Sequence, residues 1–305
     1  MKNIKTQFTL VITLCVVLFL NVYAQEIAKP MSEREKTKVS KIKTKTEWAT
    51  TIKDGKDTKI KVLYHEYNKE GNVTKMLIYS PDGSVMSDII HTYDENNLVI
   101  KTITKKSNPL QSTQTFYKYE DKRFTGIEIF NNENVLLVES IYEYNDDNLL
   151  IRMITINSTN TVYLDFTYLY DENKKLYETL SKDANGTIQV IVKIFYDENG
   201  NISEQNTSTA DGAVLQTTTK KHNEFGVLIE EIITDGEGRE ISNIKRKTNS
   251  SGNLVQEVTS NPTANIKKRL VFVLDEKGNV LEQKLFNKLD IEVSKIENEF
   301  EYFTQ

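Results

Sequence analysis

The sequence predicts an all-β protein built from tandem two-stranded repeats, joined into one long antiparallel meander. A tyrosine followed by an acidic or amide residue returns every 26 residues along most of the chain. Alternating apolar runs of strand length lie between these tyrosines, and short glycine-containing turns separate the runs. A fixed period in this range is typical of architectures in which each unit buries its apolar face against its neighbours.

The period outlasts the tyrosine that marks it. We call the residue in this column the anchor of its repeat. One interval is 25 residues and the others are 26, so the register continues where the anchor is a different residue. The anchors are Tyr67, Tyr93, Tyr119, Tyr144, Tyr170 and Tyr196, and the column continues at His222, Thr248, Leu274 and Phe300.

One repeat shows how the unit is built. Residues 188–196 alternate apolar side chains on the anchor face, which predicts a strand with one buried face. The turn 197–201 follows, then a more polar strand over about 202–208, then the turn at Asp211 and Gly212. Connections this short join antiparallel neighbours, so the chain is predicted to hold about twenty strands.

The anchor face is predicted to turn inward. A flat sheet of this length would expose a larger apolar stripe than soluble monomers tolerate, and open sheets of more than about ten strands curl. We therefore expect a curved sheet or shell with the tyrosines inside, and the sequence leaves open whether it closes. Polar residues enter the inward columns over about 205–260, which predicts a flexible waist or a solvent-filled part.

The N-terminus has the pattern of an export signal. Lys2 and Lys5 precede an apolar run from Phe8 to Leu20, and cleavage is predicted after Ala24. A membrane anchor is the competing interpretation, but the run is shorter than the roughly 20 residues a bilayer needs. A lipoprotein is less favoured, because Cys15 lies within the run. The predicted localisation is exported: periplasmic, cell-surface or secreted.

Three segments follow from these patterns. Residues 1–24 are the predicted signal peptide, 25–45 a charged linker, and 46–305 a single β-repeat domain of about nine units. Trp48, the only tryptophan, is predicted to cap the open end of the array.

Composition excludes several classes of function. The chain has one cysteine, inside the predicted signal peptide, so the exported form would have no disulfide or thiolate metal site. The formal net charge is -5, and loss of Lys2 and Lys5 leaves 37 basic against 44 acidic residues. A nucleic-acid partner is therefore not expected, nor stable membrane insertion after signal cleavage.

The repeats resemble the YD repeats of the rearrangement-hotspot (RHS) and teneurin type. The resemblance is carried by the stretch from Pro81-Asp82-Gly83 through Tyr93-Asp94 to Leu98, and it covers roughly residues 60–300. The Gly-Arg of that family is replaced here by Gly-Asn, and the family period is usually shorter. The turn-rich units are also similar to MORN-like repeats. Both resemblances imply an interaction or encapsulating role and no catalytic residues.

Each candidate site has a structural alternative. The Asp and Asn clusters in the turns offer oxygen ligands for calcium, but tight turns require the same residues. His65 and His91 share a column in adjacent repeats, where they either bind a metal or respond to pH, or simply replace tyrosines. The third set is an aromatic ladder that could stack on sugars or a peptide, or serve only to stabilise the sheet; its members are Tyr117, Tyr142 and Tyr168.

The sequence therefore predicts an exported, non-enzymatic binding or scaffold module of the cell envelope or the extracellular space. The partner is an unidentified protein or glycan of the envelope, bound by the sheet face or by strand addition at its edges. An RHS-like shell associated with a polymorphic toxin is one alternative, and a glycan-active enzyme is another. No catalytic, cofactor-binding or metal-ligating residue is predicted, and no cofactor.

Overall fold

The computed structural model describes residues 32–53 and 56–304. The predicted signal peptide with Cys15, and residues 25–31 of the predicted linker, lie outside these ranges. One α-helix, α1, spans Glu33–Ser40, and a 3₁₀ turn spans Pro109–Gln111. The twenty strands, in chain order, are β1 (Ile42–Lys53), β2 (Lys56–Tyr67), β3 (Val73–Tyr79), β4 (Val85–Tyr93), β5 (Val99–Lys106), β6 (Thr113–Glu120), β7 (Arg123–Asn131), β8 (Leu136–Tyr144), β9 (Leu150–Asn157), β10 (Val162–Tyr170), β11 (Leu176–Lys182), β12 (Ile188–Tyr196), β13 (Ile202–Thr209), β14 (Val214–His222), β15 (Leu228–Asp235), β16 (Glu240–Thr248), β17 (Leu254–Asn261), β18 (Ile266–Leu274), β19 (Val280–Phe286) and β20 (Glu292–Tyr302).

The strands form a single closed antiparallel barrel. Each strand pairs with its neighbour in sequence, and β1 also pairs with β20 over Ile42–Thr51 and Ser294–Tyr302. The predicted antiparallel meander is confirmed, whereas an open curved sheet is wrong. Closure satisfies the backbone groups that β1 and β20 would otherwise present as free sheet edges.

Most turns follow one pattern at both ends of the barrel. In the turn after β12, the Gly200 amide donates to the Asp197 carbonyl at 3.0 Å, and Gly200 has a φ of +81°. A register shift follows in the paired strands. This is the geometry of a type I turn followed by a bulge. The fourth residue of such a turn must adopt a positive φ. Glycine or asparagine occupies this position in most of these turns, and Lys174 and Asp290 occupy it in two others.

The anchor face is the inner wall, as predicted. Met153, Ile194 and Tyr142 have 2%, 5% and 5% of their surface exposed, and all three lie on this face. Strand β1 begins at Ile42, inside the predicted linker, and helix α1 precedes it. The part of that segment that the structure describes is therefore a helix and the start of the wall, not a connecting chain.

Helix α1 has a recognisable N-terminus. The Ser32 side chain accepts from the Glu35 amide while the Glu35 carboxylate accepts from the Ser32 amide, which is a capping box. The Ser-x-x-Glu spacing is visible in the sequence, but the helix has only eight residues and a highly polar composition. Such a helix is marginal alone, so its stability comes from docking.

Trp48 does not cap the array. It lies within β1, and its indole Nε1 donates to the Glu299 carboxylate of β20 at 2.9 Å. The Lys59 ammonium lies 5.5 Å from the centre of its ring. The tryptophan therefore covers the outer side of the seam where the barrel closes, and α1 occupies the end position instead.

Candidate functional site

The aspartate or asparagine after most tyrosine anchors accepts hydrogen bonds from amides of its own turn. Glu120 instead pairs with Arg123. Asp197 Oδ1 accepts from the Asn199 amide at 3.0 Å and from the Asn201 amide at 2.8 Å. Burial acts to raise the pKa of Asp197, but the hydrogen bonds from Asn201 outweigh it and hold that pKa below its usual range. Asp171 and Asn145 make the same type of contact in their own turns. Within residues 32–53 and 56–304, no three His, Cys, Asp or Glu side chains are grouped as a metal site requires.

Five anchor tyrosines serve the wall. Each hydroxyl donates to the backbone carbonyl of the residue 20 positions earlier. That residue pairs with the preceding anchor, next to the bulge in that pair of strands. Bulges interrupt the ladder locally, so the tyrosine supplies a hydrogen bond where the strands leave a gap. The bonds run from Tyr93 to Val73 (2.7 Å), Tyr119 to Val99 (3.0 Å), Tyr144 to Phe124 (2.7 Å), Tyr170 to Leu150 (2.8 Å) and Tyr196 to Leu176 (2.7 Å).

Replacing Tyr196 with phenylalanine is expected to destabilise the barrel. The change removes the hydroxyl that donates to Leu176 and leaves a part-buried carbonyl without this donor. The expected loss is about 1–2 kcal/mol, the usual range for such a bond. Urea unfolding followed by circular dichroism measures it. An unchanged midpoint would show that the hydroxyl ladder does not stabilise the wall.

Tyr67 is the anchor that departs from this pattern. Its hydroxyl makes no hydrogen bond within the described residues, because the residue 20 positions earlier, Glu47, pairs with Leu63 and not with a residue beside the anchor. The His65 ring stacks on the Tyr67 ring, with centroids 5.9 Å apart. Burial raises the pKa of Tyr67, so the phenol stays protonated at physiological pH.

The two predicted histidines are not brought together. His65 lies on β2 and His91 on β4, with β3 between them, so their strands are roughly 9–10 Å apart. His91 Nδ1 lies 2.8 Å from the Thr102 hydroxyl. Each histidine therefore has its own surroundings on the inner wall.

The three tyrosines of the predicted ladder lie on the inner wall. Tyr142 contacts the Phe124 ring at a centroid distance of 4.8 Å, and Tyr117 contacts the same ring at 6.4 Å. Tyr142 is nearly fully buried, which leaves little ring surface for a ligand. Tyr168 pairs with Thr179 in the strand register. Their packing fits the structural interpretation, and ligand binding by these tyrosines stays a prediction.

Stability is expected to fall as the pH drops from about 7 to 5. Burial lowers the pKa of His65, His91 and His222 below the ordinary value. The unfolded chain then binds more protons than the folded chain below about pH 6.5, so acid favours unfolding. Thermal unfolding at several pH values measures the slope. The triple His→Gln variant should flatten it over this range, and an equal slope would contradict the assignment.

Helix α1 docks at the end of the barrel where the anchor residues lie. Arg34 Nε donates to the Glu70 carbonyl at 3.2 Å, and Lys38 Nζ lies 2.5 Å from the Glu70 carboxylate. On the other side, Asn279 Nδ2 donates to Ser40 Oγ at 2.9 Å. The helix thus joins the turn after β2 to the turn after β18, across the seam formed by β1 and β20.

A cavity of about 280 Å³ lies between α1 and the inner wall. We call it the helix-end cavity. Anchors from three strands contribute its aromatic lining, and α1, β1 and the first turn contribute its polar lining. The aromatic residues are Tyr67, Tyr93 and Phe300, and the polar ones include Glu33, Arg34, Lys45 and Asn72.

The polar stretch of the inner wall is held by ion pairs between adjacent strands. Arg246 Nε lies 2.9 Å from the Glu257 carboxylate, and Lys220 lies 3.9 Å from Glu231. Burial lowers the pKa of Lys220, against the opposing effect of Glu231. A second cavity of about 310 Å³ lies here, lined by Lys36 of α1 and by Arg246. Two cations of the predicted polar columns, Lys220 and Arg246, are thus paired with glutamates of the neighbouring strands.

The outer wall carries ion pairs across neighbouring strands. Lys118 on β6 lies 2.6 Å from Glu128 and 2.9 Å from Glu139, and these carboxylates raise its pKa. Arg152 binds both carboxylate oxygens of Asp165, at 3.0 and 2.9 Å. Charged side chains therefore lie in the middle of the outward faces of these strands.

Across residues 32–53 and 56–304, the structure contains no helix with the length and apolar character that a membrane span requires.

Comparison with known proteins finds no matching family model and no matching curated protein. Several solved structures align with the chain at low identity. A Tc holotoxin pore from Photorhabdus luminescens is 11% identical with a TM-score of 0.30, and the match covers 82% of this chain and 18% of that one. A porin-like protein from Bacteroides uniformis is 10% identical with a TM-score of 0.36, covering 85% of this chain and 98% of that one. The chain therefore spans about a fifth of the toxin chain that it matches.

Proposed function

We propose that the chain is an exported, non-enzymatic β-repeat barrel that acts as a binding or scaffold module in the cell envelope or outside the cell. The observation that carries this proposal is the helix-end cavity, where α1 covers part of an inner wall lined by aromatic and charged side chains. Concave sites with a few convergent polar groups are where proteins usually bind small ligands.

The repeated polar residues support a scaffold rather than an enzyme. The aspartates after the anchors accept hydrogen bonds from the amides of their own turns. The anchor hydroxyls donate to wall carbonyls. Because these groups make hydrogen bonds that hold the turns and the wall, their recurrence every 26 residues needs no catalytic role to account for it.

The charged side chains of the outer wall favour a barrel that is surrounded by water. Lys118 with its two glutamates, and Arg152 with Asp165, lie on the outward faces of adjacent strands. Charged groups facing lipid at mid-bilayer depth cost several kcal/mol in barrels. We therefore expect the exported protein not to insert stably in a membrane.

The closed wall changes how a partner would bind. Strand addition requires a free sheet edge, and the β1–β20 pairing leaves none at the seam. Partners would instead contact side chains, either on the barrel surface or at the helix-end cavity. This replaces the strand-addition mode that the sequence allowed.

An affinity capture from the envelope fraction of the source organism tests the proposal. Wild-type protein is compared with Val280→Trp, which fills the helix-end cavity, and with Val214→Trp, which makes the same change at an exposed residue beginning β14. We expect capture by wild type and Val214→Trp, and its loss with Val280→Trp. If wild type captured nothing, the proposed binding role would be wrong. If both variants captured the partner equally, the partner would bind outside the helix-end cavity.

A shell role is the second candidate, and the closed wall is the observation that favours it. The resemblance to YD repeats implies encapsulation, and a barrel without a free edge at its seam can enclose a segment of another chain. Native mass spectrometry of protein purified from its own host tests this. A stoichiometric polypeptide retained after high-salt washing would support the shell role, and a bare chain mass would exclude it.

A further inference from the structure

The helix-end cavity combines flat aromatic surface with polar groups at its rim. Tyr67, Tyr93 and Phe300 come from β2, β4 and β20, which lie on either side of the closure seam. Its volume of about 280 Å³ is near the lower limit for small-molecule sites, enough for a single ring rather than a long chain.

One polar group in this cavity is free to bind a ligand. The Tyr67 hydroxyl makes no hydrogen bond within the described residues, whereas the hydroxyls of Tyr93 and four later anchors all donate to wall carbonyls. The difference arises in the first repeat, where the residue 20 positions before Tyr67 is Glu47. Glu47 pairs with Leu63 and so lies away from the anchor in the strand register. A protonated phenol can both donate to and accept from a ligand hydroxyl.

The charged groups around the cavity are already matched. Lys45 Nζ lies 2.7 Å from the Glu47 carboxylate, and the Glu33 carboxylate lies 3.3 Å from Lys36. Arg34 donates to the Glu70 carbonyl. Because each cation has an acceptor, the cavity favours a neutral ligand with many hydroxyl groups over a small anion.

We infer that the helix-end cavity binds a saccharide, with one sugar ring against the aromatic residues and its hydroxyls on Tyr67 and the polar rim. A sugar ring presents a C–H face that packs on an aromatic ring, and an edge of hydroxyls that pair with polar side chains. The inference rests on the proposed binding function and names its ligand class.

A glycan array, followed by isothermal titration with the best monosaccharide or oligosaccharide, tests the inference. Tyr67→Phe is the informative variant, because its hydroxyl makes no hydrogen bond within residues 32–53 and 56–304, so its loss should not lower stability. We expect it to keep the wild-type unfolding midpoint and to bind about three- to tenfold more weakly, the effect of one hydrogen bond.

Tyr196→Phe is the matched control. It removes a hydroxyl far from the cavity that is bonded to Leu176, so it should lower stability and leave saccharide affinity unchanged. Absence of binding by folded wild type to any glycan on the array would overturn the inference, as would unchanged affinity in Tyr67→Phe. A protein partner captured in the envelope experiment despite a negative array would leave the proposed function standing and remove only the saccharide.

Discussion

Replacing Gly71 with alanine is expected to release helix α1 from the barrel and to destabilise the protein. A Cβ built on Gly71 would lie 2.3 Å from the Arg34 carbonyl oxygen, so the helix backbone would have to move. Gly71 also has a φ of +77°, which costs a non-glycine residue about 1–2 kcal/mol. The two effects add, because one is local strain and the other is lost docking.

Gly83→Ala separates these effects. Gly83 has a φ of +84° in the same type of turn, and its Cβ would meet no heavy atom within 4 Å. It should therefore show the strain alone, and Gly71→Ala should lose about twice as much free energy of unfolding in urea titrations.

Hydrogen exchange gives the independent readout for Gly71→Ala. The amides of α1 should lose protection in this variant and keep it in Gly83→Ala. Equal losses of stability, with α1 protected in both variants, would show that the helix is not held against this turn.

Prolines in β1 are expected to cost as much as prolines in the middle of the wall. Ala49 pairs with Ile60 on one side and Ile296 on the other, and Thr50 pairs with Lys59 and Lys295. Successive residues of a strand direct their amides to opposite neighbours, so one proline removes a bond to β2 and the other a bond to β20. Each should cost about 1–3 kcal/mol for the unsatisfied partner, with further loss from steric conflict.

Comparing prolines in β1 with a proline in an internal strand distinguishes the closed barrel from an open sheet. In an open sheet β1 would be an edge strand, and one of the two prolines would be tolerated there. Thr207→Pro in β13 is the control, because that strand is internal in either architecture. Unfolding midpoints of Ala49→Pro and Thr50→Pro should both fall to a similar extent as that of Thr207→Pro. A wild-type midpoint in either β1 variant would contradict closure.

Local features were predictable because they depend on neighbours in the sequence. The alternation over 188–196 places Ile194 inside, where the structure buries it. The Asp197 to Asn201 turn has the chemistry that its residues demand. Strand number, antiparallel order and the inward anchor face follow from the same short-range patterns.

The candidate site was not predictable in the same way. Its aromatic residues lie in the first, second and last anchor positions, and Phe300 follows the other two by more than 200 residues. They meet only because β1 pairs with β20. Sequence patterns emphasised His65 and the tyrosines of the middle repeats, where residue types recur. They did not distinguish Tyr67 from the other anchor tyrosines, because its hydroxyl differs only in making no hydrogen bond in the part of the chain that the structure describes. The capping box at Ser32 and Glu35 was the one local signal of the helix that covers the cavity.

The sequence by itself determined the repeat, its strands, its turns and which face is inside, since each of these is set within one period of 26 residues. Only the tertiary structure decided that the meander closes and that α1 docks on Gly71. It also decided that five anchor hydroxyls bond to a carbonyl beside the preceding bulge, whereas the Tyr67 hydroxyl does not. These outcomes depend on how the first and last repeats meet. Every repeat carries the same kind of local pattern, and no such pattern encodes which strand the final one will pair with.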